Sequence, residues 1–354
     1  MVDDIAAEYR LGPRFLNAWQ QQGGASIEDL AAMPPDSHER LWAEFSLTTN
    51  LRGQELAWQV ARRLTDGVPT LAGRSSIDVG CGLGGTAVEC ARLGSDALGI
   101  DPDPERVDLA TANGADSGAS VRFLSGDLLD GHVRRQLGCF DAVIAQDVLE
   151  HVADARKGVH ALAELASAGG LVAAVIPNGD AASFVLADGH YLLPGLTLLR
   201  HRPAAVEYHE ARFPNGDYDV ENYHSWDSYA AWFAEAGLTI VDVEHIGGVS
   251  WDELDATLGA AHLAVVEAAD SLPQSVRSAL KMAWSDYVDR VAAARSLPRS
   301  EAERRVTVES WRVYASRGPL RKQVHKRART RLRKLTKRIP GMSALVKAWR
   351  GRAD

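Results

Sequence analysis

The 354-residue chain predicts an α/β fold, an open and mostly parallel sheet with helices on both faces. Three observations carry this. Short apolar β-type runs alternate with helix-compatible stretches from residue 75 to residue 176. Such alternation with short connections implies parallel strands joined by right-handed crossovers. The first run ends in Gly80-Cys81-Gly82-Leu83-Gly84-Gly85, immediately before a helix. A composition of 46% hydrophobic and 24% charged residues is that of a globular chain able to build a sizeable core.

Residues 1–70 read as an N-terminal helical cap broken at Met33-Pro34-Pro35, with Leu41, Trp42, Phe45 and then Leu56, Val60 and Ala61 in helical register. A core over 71–177 holds strands at 75–79, 97–100, 121–124, 142–145 and 171–176. Between them lie helices at 86–92, 104–112 and 154–166. Val159, Leu162, Ala163 and Ala166 form one stripe, and Gly169-Gly170 reads as the stop before the fifth strand. Residues 178–224 have little regular period, yet they carry His190, Tyr191, Tyr208, His209, Tyr218, Tyr223 and His224. That is too aromatic for a linker, and a long loop in a compact domain is usually functional. It reads as a substrate lid starting at the same sheet edge as the glycine cluster.

Residues 225–316 complete the domain. Tyr229, Trp232, Phe233 and Ala236 give a core-facing helix, and 238–243 a strand. Two helical stripes follow, from Leu254 to Val265 and from Val276 to Val291, and then a β-rich run at 306–314. The tail, 317–354, is a basic amphipathic segment striped by Leu320, Val324, Ala328, Leu332, Leu335 and Ile339 and closed by Trp349.

The formal charge of −8 hides an asymmetry. Fourteen Lys and Arg and no acid lie between Arg317 and Arg352, which leaves 25 basic and 46 acidic residues, net −21, over 1–316. A basic amphipathic tail ending in Trp reads as a peripheral membrane anchor at the inner membrane face, with docking on the acidic body or a solvated tail as the alternatives. An acidic body repels phosphates and makes nucleic acid an unsuitable partner. Three cysteines without CxxC spacing argue against a disulfide framework or a zinc site and for a reducing cytoplasm.

Glycines at the end of a first strand leave room for a nucleotide-like ligand at the sheet edge. Gly80, Gly82 and Gly85 also satisfy a dinucleotide pattern, and Asp101, nineteen residues beyond Gly82, suits a ribose-binding acid for either NAD or S-adenosylmethionine. Asp78 inside the strand, Asp127 after the third strand, and Gln146-Asp147-Val148-Leu149-Glu150-His151 after the fourth turn the balance. No Tyr-x-x-x-Lys helix follows the fourth or fifth strand to serve hydride transfer.

With the segments DVGCGLGG, GIDPD, GDLL and FDAVIAQDVLEHV in this order, the chain resembles the class I S-adenosylmethionine-dependent methyltransferases. The resemblance implies a Rossmann-like seven-stranded sheet whose last strand is antiparallel, here delayed by a helical insertion. It also implies S-adenosylmethionine as cofactor. The methionine part would lie along Gly80, Cys81 and Gly82, the ribose on Asp101, the adenine against Asp127 and the Leu128 amide. Gln146 would touch the methionine part, and Asp78 would fix the loop or reach the cofactor amine.

The Asp147-x-x-Glu150-His151 group resembles the E-x-x-E-H group of ubiquinone-type O-methyltransferases and small-RNA 2′-O-methyltransferases. That likeness implies a divalent ion such as Mg²⁺ on Asp147, Glu150, His151 and His224. His151, His190 and His209 are the candidate bases. The expected acceptor is a small molecule or a lipid-linked glycan methylated on oxygen, since 190–195 resembles lids of surface-polysaccharide methyltransferases. The alternatives are a non-catalytic cofactor-binding module docked to a membrane, and an RNA 2′-O-methyltransferase.

Overall fold

The computed structural model describes residues 9–34, 37–65, 67–214 and 216–320. The chain opens with helices α1 (Pro13–Gln21), α2 (Ile27–Ala32), α3 (His38–Leu47) and α4 (Thr49–Leu64). Ser26 and Asp29 form a reciprocal capping box at α2, and the Ser37 hydroxyl accepts from the Arg40 N–H at the start of α3. Most of the basic tail expected after 317 begins at 321 and lies outside the described residues. Among the described residues no helix is long and apolar enough to cross a membrane.

The alternating core then runs β1 (Ser75–Val79), α5 (Gly85–Arg92), β2 (Asp96–Asp101), α6 (Pro104–Ser117), β3 (Val121–Ser125) and α7 (Gly131–Leu137). It continues with β4 (Phe140–Gln146), α8 (Ala155–Leu165) and β5 (Ala166–Pro177). Helix α7 buries no residue, so it has no apolar period by which the sequence could show it. The glycine pair Gly169-Gly170 does not precede β5 but lies inside it. The strand starts at Ala166, its register against β4 shifts between Phe140 and Ala142, and Gly169 N–H donates to the Arg317 carbonyl at 2.7 Å. Glycines within a strand commonly mark such an irregularity.

After β5 come α9 (Ala182–Leu186), α10 (Arg202–Arg212) and α11 (Trp226–Glu235), then β6 (Thr239–Ile246). Helices α12 (Leu254–Ala269), α13 (Gln274–Arg295) and α14 (Arg299–Val306) lead to β7 (Ser310–Ser316). The seven strands form one sheet in the order β3-β2-β1-β4-β5-β7-β6. Strand β7 is antiparallel to both β5 and β6, and the remaining pairs are parallel.

Both faces of the sheet are covered. Val159 and Leu162 of α8 pack with Tyr229 and Phe233 of α11 and with Trp311 on one side. Leu56, Val60 and Leu64 of α4 pack with Ile144, Ala173 and Tyr314 on the other. Double coverage is why β4 and β5 read as continuous apolar runs. The segment after β5 and the insertion before β7 share a further core. Tyr191, Leu196, Tyr208 and Tyr223 pack against Val265, Val276 and Leu280. The 178–224 stretch is therefore a packed element with its own helices, its apolar residues spread over turns where no period shows.

Helix α4 meets α5 at bare backbone. A Cβ on Gly53 would lie 2.4 Å from the Gly85 carbonyl carbon, and one on Gly85 would lie 2.2 Å from the Thr49 oxygen. Gly259 in α12 faces open space. Gly53→Ala is expected to lower the melting temperature, at a cost of about 1–3 kcal/mol for overpacking. Gly259→Ala is expected to raise it, by up to about 1 kcal/mol of helix propensity. Thermal unfolding of the two variants checks the opposite signs.

Candidate active site

A crevice of about 860 Å³ opens at the carboxyl ends of β1 and β4. Its floor is the turn between β1 and α5, which needs positive φ at Gly80 (63°), Gly82 (49°) and Gly84 (82°). At Gly80 a side chain is also excluded by contact, because a Cβ would come within 2.5 Å of Val148 Cγ2. Two carboxylates pin the turn. Asp101 Oδ2 accepts from the Gly82 N–H at 2.9 Å, and its Oδ1 from the Asp103 N–H at 3.0 Å. Asp78 Oδ2 accepts from the Ala87 N–H at 3.2 Å in the first turn of α5.

Asp78, Gly80, Cys81, Gly82 and Gln146 line the crevice, together with Asp147, Glu150, His151 and His190. Asp101 is buried beside the turn, each of its oxygens accepting from one backbone amide. Asp127 is exposed and accepts from the Leu129 N–H, while the Leu128 side chain is buried in the core. In that part of the wall the acids are Asp103 and Glu105, at the start of α6.

Burial sets the electrostatics. Asp78 is pushed up to about 7, chiefly by burial, against the opposing amide of Ala87 and with the added charge of Asp101. Asp147, held at φ +53° with its N–H donated to the Val175 carbonyl, is likewise raised by burial, and Arg52 opposes this. Arg52 projects from α4. Its guanidinium lies 3.5 Å over the Phe45 ring, and its Nε finds no hydrogen-bond partner among the described residues. No sequence signal singles it out, because one arginine on an amphipathic helix looks like any solvated charge.

Beyond β4 the chain turns Glu150 inward to 1% exposure. Neither of its carboxylate oxygens has a hydrogen-bond partner among the described residues. Burial and the nearby Asp147 charge raise its pKa well above the ordinary carboxylate range. Two imidazoles face it, His151 Nε2 at 3.7 Å and His190 Nε2 at 3.9 Å from Oε1. His151 Nδ1 is 3.0 Å from the Asp219 carbonyl, and His190 Nδ1 is 2.9 Å from the Tyr223 hydroxyl. A carbonyl only accepts, so Nδ1 carries a proton, and in the neutral ring the lone pair lies on Nε2. Burial, then the neighbouring His151, depress His190 to about 4.

The buried Asp188 presents this wall of the site. Its carboxylate accepts from the N–H groups of His190, Tyr191 and Leu193 at 2.7–3.0 Å. Among the described residues, Glu150, His151 and His190 are the group that could share an ion, their ligand atoms all lying within 4.8 Å of one another. The fourfold set read from the sequence is not gathered. His224 packs its ring against Trp232 and Tyr229, with centroids at 4.8 and 5.9 Å, and Asp147 faces Arg52. His209 is not in the cluster either, but stands edge-on to Tyr191 at 4.4 Å.

Residues 77–174 match a family described as a methyltransferase domain. The chain is 32% identical over 172 residues to a ubiquinone biosynthesis O-methyltransferase of Xanthomonas axonopodis pv. citri, covering 49% of this chain and 65% of that protein. It is 31% identical over 180 residues to the protein of the same name from Methylococcus capsulatus, covering 50% of this chain and 68% of that one. The chain belongs to the class I S-adenosylmethionine-dependent methyltransferases. The matched segment is about half of this methyltransferase and about two thirds of those relatives.

Among solved structures, magnesium protoporphyrin IX methyltransferase of Synechocystis PCC 6803 with bound SAH is 18% identical, with 66% of this chain and 91% of that one covered and a TM-score of 0.42. Phosphoethanolamine N-methyltransferase 2 of Haemonchus contortus, in complex with S-adenosyl-L-methionine, is 15% identical over 83% of this chain and 60% of that one, with a TM-score of 0.42.

Asp78 makes this methyltransferase pH-sensitive. Between pH 4 and 7 the unfolded chain has lost a proton that the folded chain retains at Asp78, so stability falls as pH rises through that window. A tenfold difference in proton affinity between the two states corresponds to about 1.4 kcal/mol. Asp78→Asn keeps an acceptor for the Ala87 amide and removes the titration. Its melting temperature should fall less than that of the wild type between pH 5 and pH 8; equal slopes for the two proteins would sink the assignment.

Proposed function

We propose that the chain transfers the methyl group of S-adenosylmethionine to a hydroxyl oxygen of a small-molecule acceptor. The observation that carries this reading is Glu150, unpartnered and buried, facing two imidazoles in the same crevice as the glycine turn. The names of the relatives, ubiquinone biosynthesis O-methyltransferases, support oxygen as the methylated atom. Exposed Leu41, Trp42, Phe45 and Leu192 at the crevice wall favour an acceptor with an apolar portion over a bare sugar.

The residues fit the cofactor. Gly80 to Gly82 would admit its amino-acid arm, the free Nε of Arg52 would bind its carboxylate, and Asp103 or Asp101 would take the ribose hydroxyls. Bound there, S-adenosylmethionine supplies an electrophilic methyl on a sulfonium. Asp78 and Asp147, whose carboxyls burial holds toward the protonated form, would ionise more readily beside such a cation. His151 receives the acceptor's hydroxyl proton on Nε2, with Nδ1–H anchored on the Asp219 carbonyl. His190, depressed to about 4, is a weak base at neutral pH; with Nδ1 accepting from the Tyr223 hydroxyl, its neutral ring would offer Nε2–H to the oxygen of the acceptor hydroxyl. Positioning of acceptor and methyl supplies much of the acceleration.

Two imidazole nitrogens and one carboxylate also fit a divalent ion, and their Nδ1 partners Asp219 and Tyr223 are the outer contacts such ligands require. Such an ion would acidify the hydroxyl. Mg²⁺ prefers an all-oxygen set, whereas this set suits Mn²⁺ or Zn²⁺.

Glu150→Gln is expected to lower S-adenosylhomocysteine formation on ortho-dihydroxybenzene acceptors by about 10²–10⁴-fold, with cofactor affinity unchanged by calorimetry. Chelator-treated protein should regain activity with Mn²⁺ more than with Mg²⁺; activity indifferent to chelation would remove the ion from the scheme. Arg52→Ala should weaken cofactor binding by about 10–100-fold, the scale of a lost charged hydrogen bond.

A further inference from the structure

Behind Tyr191 lies a second cavity, of about 480 Å³, walled by His38, Tyr191, His209, Arg212, Phe213 and Gly216. It adjoins the crevice, since His38, Tyr191 and Asp217 line both. Ring faces and edges make up most of its wall, with Arg212 and Asp217 as its charged residues. His209 meets Phe213 at 5.2 Å, His38 meets Phe213 at 5.7 Å, and His38 stacks with Tyr191 at 6.0 Å and 13°. These rings are fixed from behind. The Tyr191 hydroxyl donates to Asp219 Oδ1 at 2.7 Å, and His38 Nε2 lies 2.8 Å from the His190 carbonyl.

One imidazole in this wall has a ring nitrogen left unmatched. His209 is 2% exposed, and its Nδ1 has no hydrogen-bond partner among the described residues. A buried polar group left unpaired is costly, and a ligand that supplies the missing partner recovers that cost. A sugar would bring several hydroxyls against ring faces that cannot pair with them, leaving Arg212 and Asp217 as the charged groups to answer them. A flat aromatic ring with a single hydroxyl or carbonyl matches both the ring surfaces and the lone imidazole nitrogen.

We propose that this side cavity seats a distal aromatic ring of the methyl acceptor, bearing one hydrogen-bonding substituent that pairs with the His209 imidazole. The acceptor is then a molecule of two parts, with the hydroxyl to be methylated at Glu150, His151 and His190 and a second ring lodged behind Tyr191. The inference deepens the methyl-transfer reading and rests on it. It moves His209 from the chemistry to recognition.

The test is binding of 2-naphthol to the full chain loaded with S-adenosylhomocysteine, followed by calorimetry and ligand-observed NMR. A Cβ on Gly216 would sit 3.0 Å from His209 Cε1 and 3.2 Å from Phe213 Cβ, so Gly216→Val fills the cavity. It should cut 2-naphthol affinity at least tenfold and leave S-adenosylhomocysteine affinity unchanged. His209→Phe keeps a ring but removes the nitrogen. It should weaken 2-naphthol about fivefold and leave naphthalene binding as in the wild type.

If Gly216→Val fails to fold, as loss of S-adenosylhomocysteine binding would report, Phe213→Ala takes its place with the same expectation. Failure of the wild type to bind 2-naphthol at millimolar concentration overturns the proposal, as does equal affinity in wild type and the cavity variant. Either result leaves methyl transfer to ortho-dihydroxybenzenes standing. Absence of that transfer while 2-naphthol still depends on Gly216 and His209 would instead overturn the methyl-transfer reading and, with it, the acceptor's identity as occupant.

Discussion

Bare backbone between two helices is the contact on which the crevice depends. With glycine at 53 and 85, α4 comes close enough for Thr49 to touch the first turn of α5. A side chain at either position would push α4 away from the sheet. Because it cannot move away, Arg52 overhangs the glycine turn, and α3, one residue upstream, brings Trp42 and Phe45 to the crevice wall. The turn is held from the other side by Asp78 and Asp101, which bind amides and leave its open face free. Site and scaffold thus share one set of contacts: the groups that shape the crevice also tie the N-terminal helices to the sheet.

Charge in the crevice is arranged around what it must receive. Asp78, Asp147 and Glu150 are each raised by burial, which states in energetic terms that negative charge there is under-solvated. A cationic sulfonium would relieve that strain more than the neutral product left after transfer. Arg52, in the proposed scheme, would answer the carboxylate of the ligand, and its stacking on Phe45 and its hydrogen bond to the Phe45 carbonyl hold it at the crevice wall.

The segment after β5 and the helices before β7 act as one body. Asp188 gathers three amides to form the turn that presents His190 and Tyr191, with Leu192 at φ +57° inside it. That turn would have no backing without α12 and α13, whose Val265, Val276 and Leu280 bury Tyr208 and Tyr223. An insertion distant in sequence from the chemistry is the rigid support of one histidine at the site and of the aromatic cavity beside it.

By itself the sequence determined the order of β1 to β5, the glycine turn, the late antiparallel strand, and Glu150 and His151 beyond β4. These are written in local signals: apolar runs, the glycines that a positive φ demands, and short spacings along one chain segment. Tertiary structure alone decided that His190 and not His224 faces Glu150. Both histidines lie in the same aperiodic stretch, and which one reaches a buried carboxylate depends on how that stretch packs on helices far along the chain. It also decided that Arg52 enters the crevice, through a helix crossing no local pattern encodes, and that Gly169-Gly170 bends a strand already begun. A residue's chemistry can be read from its type, but its partner is set by long-range packing, where many side chains compete for each place and only the folded core selects among them.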